Sequence, residues 1–182
     1  MVLILAILMA TNSLACNYWP PFAPKKSYRI IQGFYGKYSH KKPLQYGIDF
    51  DMPEGTLIYS ARAGKISEII MNFKVGGPDK KYLKKSNKII IDHGDNTFSL
   101  YAHLKKLSSR VTKGQIITVG HPIARSACTG WCDGAHLHFE VFKKDLKTKR
   151  ISIPFKFKGD LGCSLPKFGS QVTNQFIERR NH

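Results

Sequence analysis

The run His136-Leu137-His138-Phe139-Glu140-Val141 alternates polar and apolar residues. As a strand it sets two imidazoles and a carboxylate on one face and three apolar side chains on the other. The two imidazoles then stand roughly 6.5–7 Å apart along the chain. A pair so placed can divide labour, one ring holding a metal ion and the other moving protons. Asp49 and His103 add a carboxylate and a third imidazole. Metal-assisted hydrolysis needs such a set: imidazoles and carboxylates as ligands, a position left open for water, a base for its proton and a donor for the oxyanion. Taken singly these residues have plainer uses, His103 at a sheet edge and Asp49 bonded to a turn backbone, and His93 and His121 read as turn residues.

Short strands must position them. Residues 57–63, 65–71, 88–92, 97–102, 115–119 and 137–142 are rich in β-branched and aromatic side chains, and they are separated by Gly64, by Gly94-Asp95-Asn96 and by the stretch 130–134. No helical period is sustained before Thr173, so the domain is expected to be all-β. Residues 16–28 form a Pro-rich extended lead-in, in which Trp19-Pro20-Pro21-Phe22-Ala23-Pro24 suits neither helix nor inner strand; a cover over the site is one use for it. Residues 73–87 read as a long surface loop, and Lys80, Lys81, Lys84, Lys85 and Lys88 make it either the rim of a substrate groove or a solubilising face.

At 182 residues, 42% hydrophobic and 12% aromatic, the chain is one folded domain with short extensions, and a monomer is expected. Residues 1–10 are all apolar and Ser13-Leu14-Ala15 puts small residues where a signal peptidase reads, so residues 1–15 are expected to be a signal peptide. The apolar run is too short to span a bilayer. Export to the periplasm or cell envelope, or out of the cell, follows, with membrane contact only if Cys16 carries lipid. Four cysteines in an exported chain imply two disulfides, with three possible connectivities; Cys128 and Cys132 are close enough to close a tight loop, which leaves Cys16 for Cys163 if Cys16 carries no lipid. Oxidised sulfur does not ligate zinc, which disfavours a metal site of Cys128, Cys132 and His136. The net charge of +17, with a second basic run at Lys143, Lys144, Lys147, Lys149 and Arg150, calls for acidic partners. Outside the cytoplasm these are cell-envelope polymers and anionic headgroups; no nucleic-acid-binding motif is present.

Six blocks in order, Tyr46-Gly47-Ile48-Asp49-Phe50, Pro53-Glu54-Gly55-Thr56, Ile91-Asp92-His93-Gly94, Tyr101-Ala102-His103-Leu104, Thr129-Gly130 and His136-Leu137-His138-Phe139-Glu140, resemble the M23 metallopeptidases of the lysostaphin and LytM type across residues 29–142. The resemblance implies a two-sheet antiparallel β fold of sandwich-like form with an open groove, followed by a basic extension over 143–182. It also implies zinc-dependent hydrolysis of peptide bonds in peptidoglycan. Asp49 and His138 match zinc ligands, and His103 and His136 match the two catalytic histidines, with His136 as base and His103 as oxyanion donor or the reverse. The remaining ligand of the family is a His four residues before the Asp, and that position is Gln45. A neutral amide oxygen is a poor zinc donor, so Gln45 is expected to be a weak or absent ligand. His40 lies five residues upstream of Gln45, but ligand rings are normally fixed by neighbours, and a loop entering the site is an unexpected place to find one so held. Glu140 is expected to support the site from behind or to lie at the surface. Two functions follow: a peptidoglycan endopeptidase, or a degenerate module that binds wall or activates another hydrolase.

Overall fold

The computed structural model describes residues 16–147, 149–159 and 162–176. The expected signal peptide lies outside them. In chain order the strands are β1 (Ser27–Gln32), β2 (Ile48–Asp51), β3 (Leu57–Tyr59), β4 (Gly64–Ile70), β5 (Gly76–Gly77), β6 (Lys88–Asp92), β7 (Phe98–Ala102), β8 (Ile116–Ile117), β9 (Pro122–Arg125), β10 (Gly130–Trp131), β11 (His136–Lys144), β12 (Arg150–Ser152), β13 (Phe157–Gly159), β14 (Gly162–Ser164) and β15 (Gln171–Thr173). Among the described residues the one helical element is a single 3₁₀ turn, Lys80–Tyr82. No helix there is long and apolar enough to cross a membrane.

A nine-stranded sheet runs β15-β1-β2-β11-β7-β6-β4-β8, with β12 paired to β11. All its pairings are antiparallel. Its inner face is the alternate set that the sequence pattern demands: Ile48, Phe50, Ile89, Ile91, Tyr101, Leu137, Phe139 and Val141 are all fully buried. The β3–β9 pair packs on that face as the opposing layer and gives Ile58, Ile123 and Ala124 to the same core. On the outer face, Ile90, Phe98, Leu100, Ala102 and Phe142 form a smaller apolar cluster beside the polar half of β11.

Two segments are more integral than the sequence suggests. Tyr18 and Phe22 of the Pro-rich lead-in are buried in the main core, and Trp19 N–H donates to the Ala61 carbonyl (2.8 Å). The lead-in therefore fills the core, and none of its residues lines the groove described below. Likewise residues 150–173 do not trail off after β11: Phe155, Phe157 and Val172 are core residues, and β15 pairs with β1 in the register Tyr28 to Val172. Both disulfides form as the spacing indicates, Cys128–Cys132 within one loop and Cys16–Cys163 between the lead-in and β14.

Candidate active site

The centre of the outer face is a groove of about 840 Å³. Antiparallel register places its chemistry: His138 faces Asp49 across β2 and Ala102 across β7, so the acid of one strand and the imidazole of the next meet side by side. His138 Nδ1 lies 2.8 Å from Asp49 Oδ1. The third member is His40, carried by the long β1–β2 connection. Its Nε2 lies 3.3 Å from His138 Nδ1 and 3.4 Å from Asp49 Oδ1, and the ring is 2% exposed.

His40 is presented as a ligand. Its Nδ1 is 2.8 Å from the Gly33 carbonyl, which only accepts, so the proton sits on Nδ1 and the Nε2 lone pair faces the other two groups. One donor atom from each of His40, Asp49 and His138 falls within 4.8 Å of the others. Two imidazoles and a carboxylate are a hydrolytic zinc donor set, and the residues fit the ion. Gly47 makes the room: a Cβ there would meet His138 Cε1 at 2.7 Å and His40 Nε2 at 3.0 Å. Gln45, the position expected to hold the weak ligand, is outside this cluster and does not line the groove; its Oε1 is buried without a hydrogen-bond partner, and its backbone carbonyl accepts from Tyr35 N–H (2.7 Å). The physical reason is the length of the connection, which lets a residue nine positions before Asp49 fold back onto it.

Charge in this cluster follows from burial and pairing. Burial alone raises the Asp49 carboxyl, and the neighbouring imidazoles, His138 first and then His40, overcome it, holding it well below the usual carboxylate range. Burial would lower His138, but its bond to Asp49 and then the nearby Glu140 carboxylate prevail and push it up to about 9. Glu140 is fully buried under the groove rather than on the surface; its Oε2 lies 3.7 Å from His138 Nε2 and its Oε1 3.2 Å from Arg150 Nε. Neither oxygen makes a hydrogen bond of good geometry, so ionic contact is what compensates this carboxylate.

The second pair of imidazoles stands beside the first. His103 and His136 have ring centroids 4.4 Å apart. One short loop orients both: His103 Nδ1 donates to the Thr129 carbonyl (2.7 Å) and His136 Nδ1 to the Gly134 carbonyl (3.0 Å), which leaves both Nε2 atoms bare. The Cys128–Cys132 disulfide closes that loop around Thr129. Burial, then the electrostatic influence of the neighbouring His136 and His138, depresses His103 to about 3, so it is neutral at ordinary pH. His103 also sits at φ 61°, a left-handed conformation that a non-glycine residue keeps only when its surroundings impose it.

The chain on either side of it is tied by Asn87, a fully buried amide that the sequence pattern does not single out. Its Nδ2 donates to the carbonyls of Phe73 (2.7 Å) and Leu104 (3.0 Å), its Oδ1 accepts from Phe73 N–H (3.0 Å), and its N–H donates to Thr129 Oγ1 (3.1 Å). Three loops around His103 are thus tied at one point. Asn87→Ala leaves buried backbone groups unpaired and is expected to destabilise the protein by about 3 kcal/mol, read as a lowered urea midpoint. A loss under about 0.5 kcal/mol would show that the hub is dispensable.

Beyond the histidines the groove continues over Leu100 and Ile70, with Lys84, Lys88 and Arg150 along it. Lys84 of the long loop and Lys88 at the start of β6 thus line the groove, and Lys88 is held by Glu68 (2.9 Å).

Comparison with known proteins places this geometry. The sequence pattern described as "Peptidase family M23" matches residues 43–150, a stretch that begins after His40. The chain is 34% identical over 143 residues to the Vibrio cholerae protein named Peptidoglycan DD-endopeptidase ShyB, covering 75% of this chain and 30% of that one. It is 31% identical to Peptidoglycan DD-endopeptidase ShyA of the same organism, covering 74% and 27%. The chain therefore spans under a third of the length of these two relatives. A solved structure described as a zinc containing peptidase from Vibrio cholerae superposes with a TM-score of 0.54 at 27% identity, covering 76% of this chain and 39% of that one.

Proposed function

The chain belongs to peptidase family M23, and from that premise we propose that it is an exported zinc endopeptidase that hydrolyses peptide bonds of peptidoglycan. The observation that carries this reading is the donor set of His40, Asp49 and His138 on the floor of an open groove, with two further imidazoles whose Nε2 atoms are bare. When bound, zinc supplies Lewis acidity and makes water a nucleophile near neutral pH. The protein's part is positional. His40 is fixed through Gly33, His138 through Glu140, and Asp49 between them. His103, neutral and with its Nε2 lone pair free, accepts the proton of the attacking water and returns it to the leaving amine. His136, whose Nε2 lies 4.0 Å from Asp49 Oδ1 on the same side of the groove, takes the oxyanion role, donating from that nitrogen when it carries a proton.

The substrate class rests on the relatives' named activity. The +17 charge, with Lys84, Lys88 and Arg150 along the groove, suits acidic envelope polymers. Export is supported by the leading apolar residues and by the two disulfides, which suit an oxidising compartment. The alternative of a wall-binding relic supposes a site one imidazole short, and the position of His40 beside Asp49 and His138 favours the enzyme over it.

Protein purified without chelator is expected to carry one zinc per chain and to clear a suspension of isolated cell walls, with chelator or His138→Ala abolishing both. Wall binding is expected to weaken steeply with salt. Less than about a tenth of an equivalent of zinc, together with no clearing, would overturn the reading.

A further inference from the structure

Gln32 ends β1 directly opposite Asp49. It is 9% exposed, and it faces two things at once: the carboxylate of one metal-ligand candidate and the backbone just before another. Its Nε2 donates to Asp49 Oδ2 (2.6 Å) and to Ser39 Oγ (2.8 Å), while its Oε1 accepts from the N–H groups of Tyr38 (3.1 Å) and Ser39 (3.4 Å). Both donors and both lone pairs of the amide are therefore used. The bond to Oδ2 leaves Oδ1, the oxygen facing His40 and His138, as the donor of the cluster.

We propose that Gln32 is a positioning residue for the metal site, an amide clamp that fixes the His40 loop against Asp49. This rests on the reading that His40, Asp49 and His138 hold zinc. The clamp answers a problem set by the length of this connection. A ligand four residues before the Asp is tied to it by a short stretch of backbone, whereas His40 is nine residues away on a long connection. Fixing both ends of that connection to one side chain restores the rigidity that the short spacing would have given. The chain also leaves space for it: a Cβ on Gly36 would come within 2.3 Å of Gln32 Cγ and 2.8 Å of its Oε1.

The test measures metal affinity, by competition with a chromophoric chelator, on the full chain. Gln32→Ala is expected to bind zinc roughly 10- to 100-fold more weakly than wild type, as losses of supporting groups behind ligands do. The visible spectrum of the Co²⁺-loaded variant should change shape and lose intensity, which a merely stabilising residue would not cause. Gly36→Ala touches no ligand but displaces the Gln32 side chain, and should weaken zinc several-fold in the same direction; if Gln32→Ala does not fold, this variant decides. Zinc affinity within about twofold of wild type in the folded variant, with an unchanged Co²⁺ spectrum, overturns the clamp while leaving the site intact. If His40→Ala also binds like wild type, or wild type binds no zinc, the reading beneath it falls as well.

Discussion

His40→Ala is expected to abolish stoichiometric zinc binding and wall clearing together, while Gln45→Ala leaves both near wild type. The contrast inverts what linear spacing dictates, because the residue four before Asp49 is Gln45 and not His40. Removing a group behind a ligand typically costs roughly 10- to 100-fold in affinity, so removing a ligand imidazole should cost more than 100-fold. Gln45 does not replace it, since its Oε1 is buried away from the groove. Calorimetric zinc titration of the two variants checks this. Equal loss in both, or loss only in Gln45→Ala, would return the third ligand to position 45.

His103→Ala is expected to keep its zinc and its fold yet lose roughly 10²- to 10⁴-fold in turnover, the usual contribution of a positioned base. It should also change the acid stability of the metal-free protein. The folded state holds His103 near 3 against an ordinary 6.5. At pH above 6.5 both folded and unfolded chains leave this ring neutral, and its contribution to stability is full. As pH falls from 6.5 toward 3, only the unfolded chain takes up the proton, so stability is progressively lost. Thermal midpoints of the metal-free wild type should therefore fall over that window, and His103→Ala should flatten the fall. A variant retaining a tenth or more of wild-type turnover would remove His103 from the proton transfer.

Much of this architecture was legible because it is periodic or local. The alternation of 136–141 predicts which half of β11 enters the core, and Leu137, Phe139 and Val141 are fully buried. The ordered blocks around Asp49, His103 and His138 gave family and fold, and the close spacing of Cys128 and Cys132 gave the loop disulfide. Residues that act across distance were not legible. His40 reaches Asp49 through the path of a long connection, which has no period. Gln32 and Asn87 are amides whose importance lies in burial and in partners from separate loops, and an amide in a sequence carries no mark of either. The strands after residue 150 are three residues each, too short to show alternation. Glu140 looked like any outward polar residue of β11, and it is buried because Arg150 and the outer apolar cluster close over it.

The pairing of β1 with β15 bears on the order in which the site is assembled. β1 carries Gln32 and is flanked by β2 on one side and by Gln171–Thr173 on the other. Every candidate ligand lies at or before residue 138, but the outer hydrogen-bonding edge of β1 is closed only by residues 171–173. Strands separated by so much chain pair late, since a long loop must close first. The strand that carries the clamp thus draws its second partner from the far end of the chain, and a chain cut before Gln171 would keep all the histidines of the site while leaving that edge of β1 unpaired.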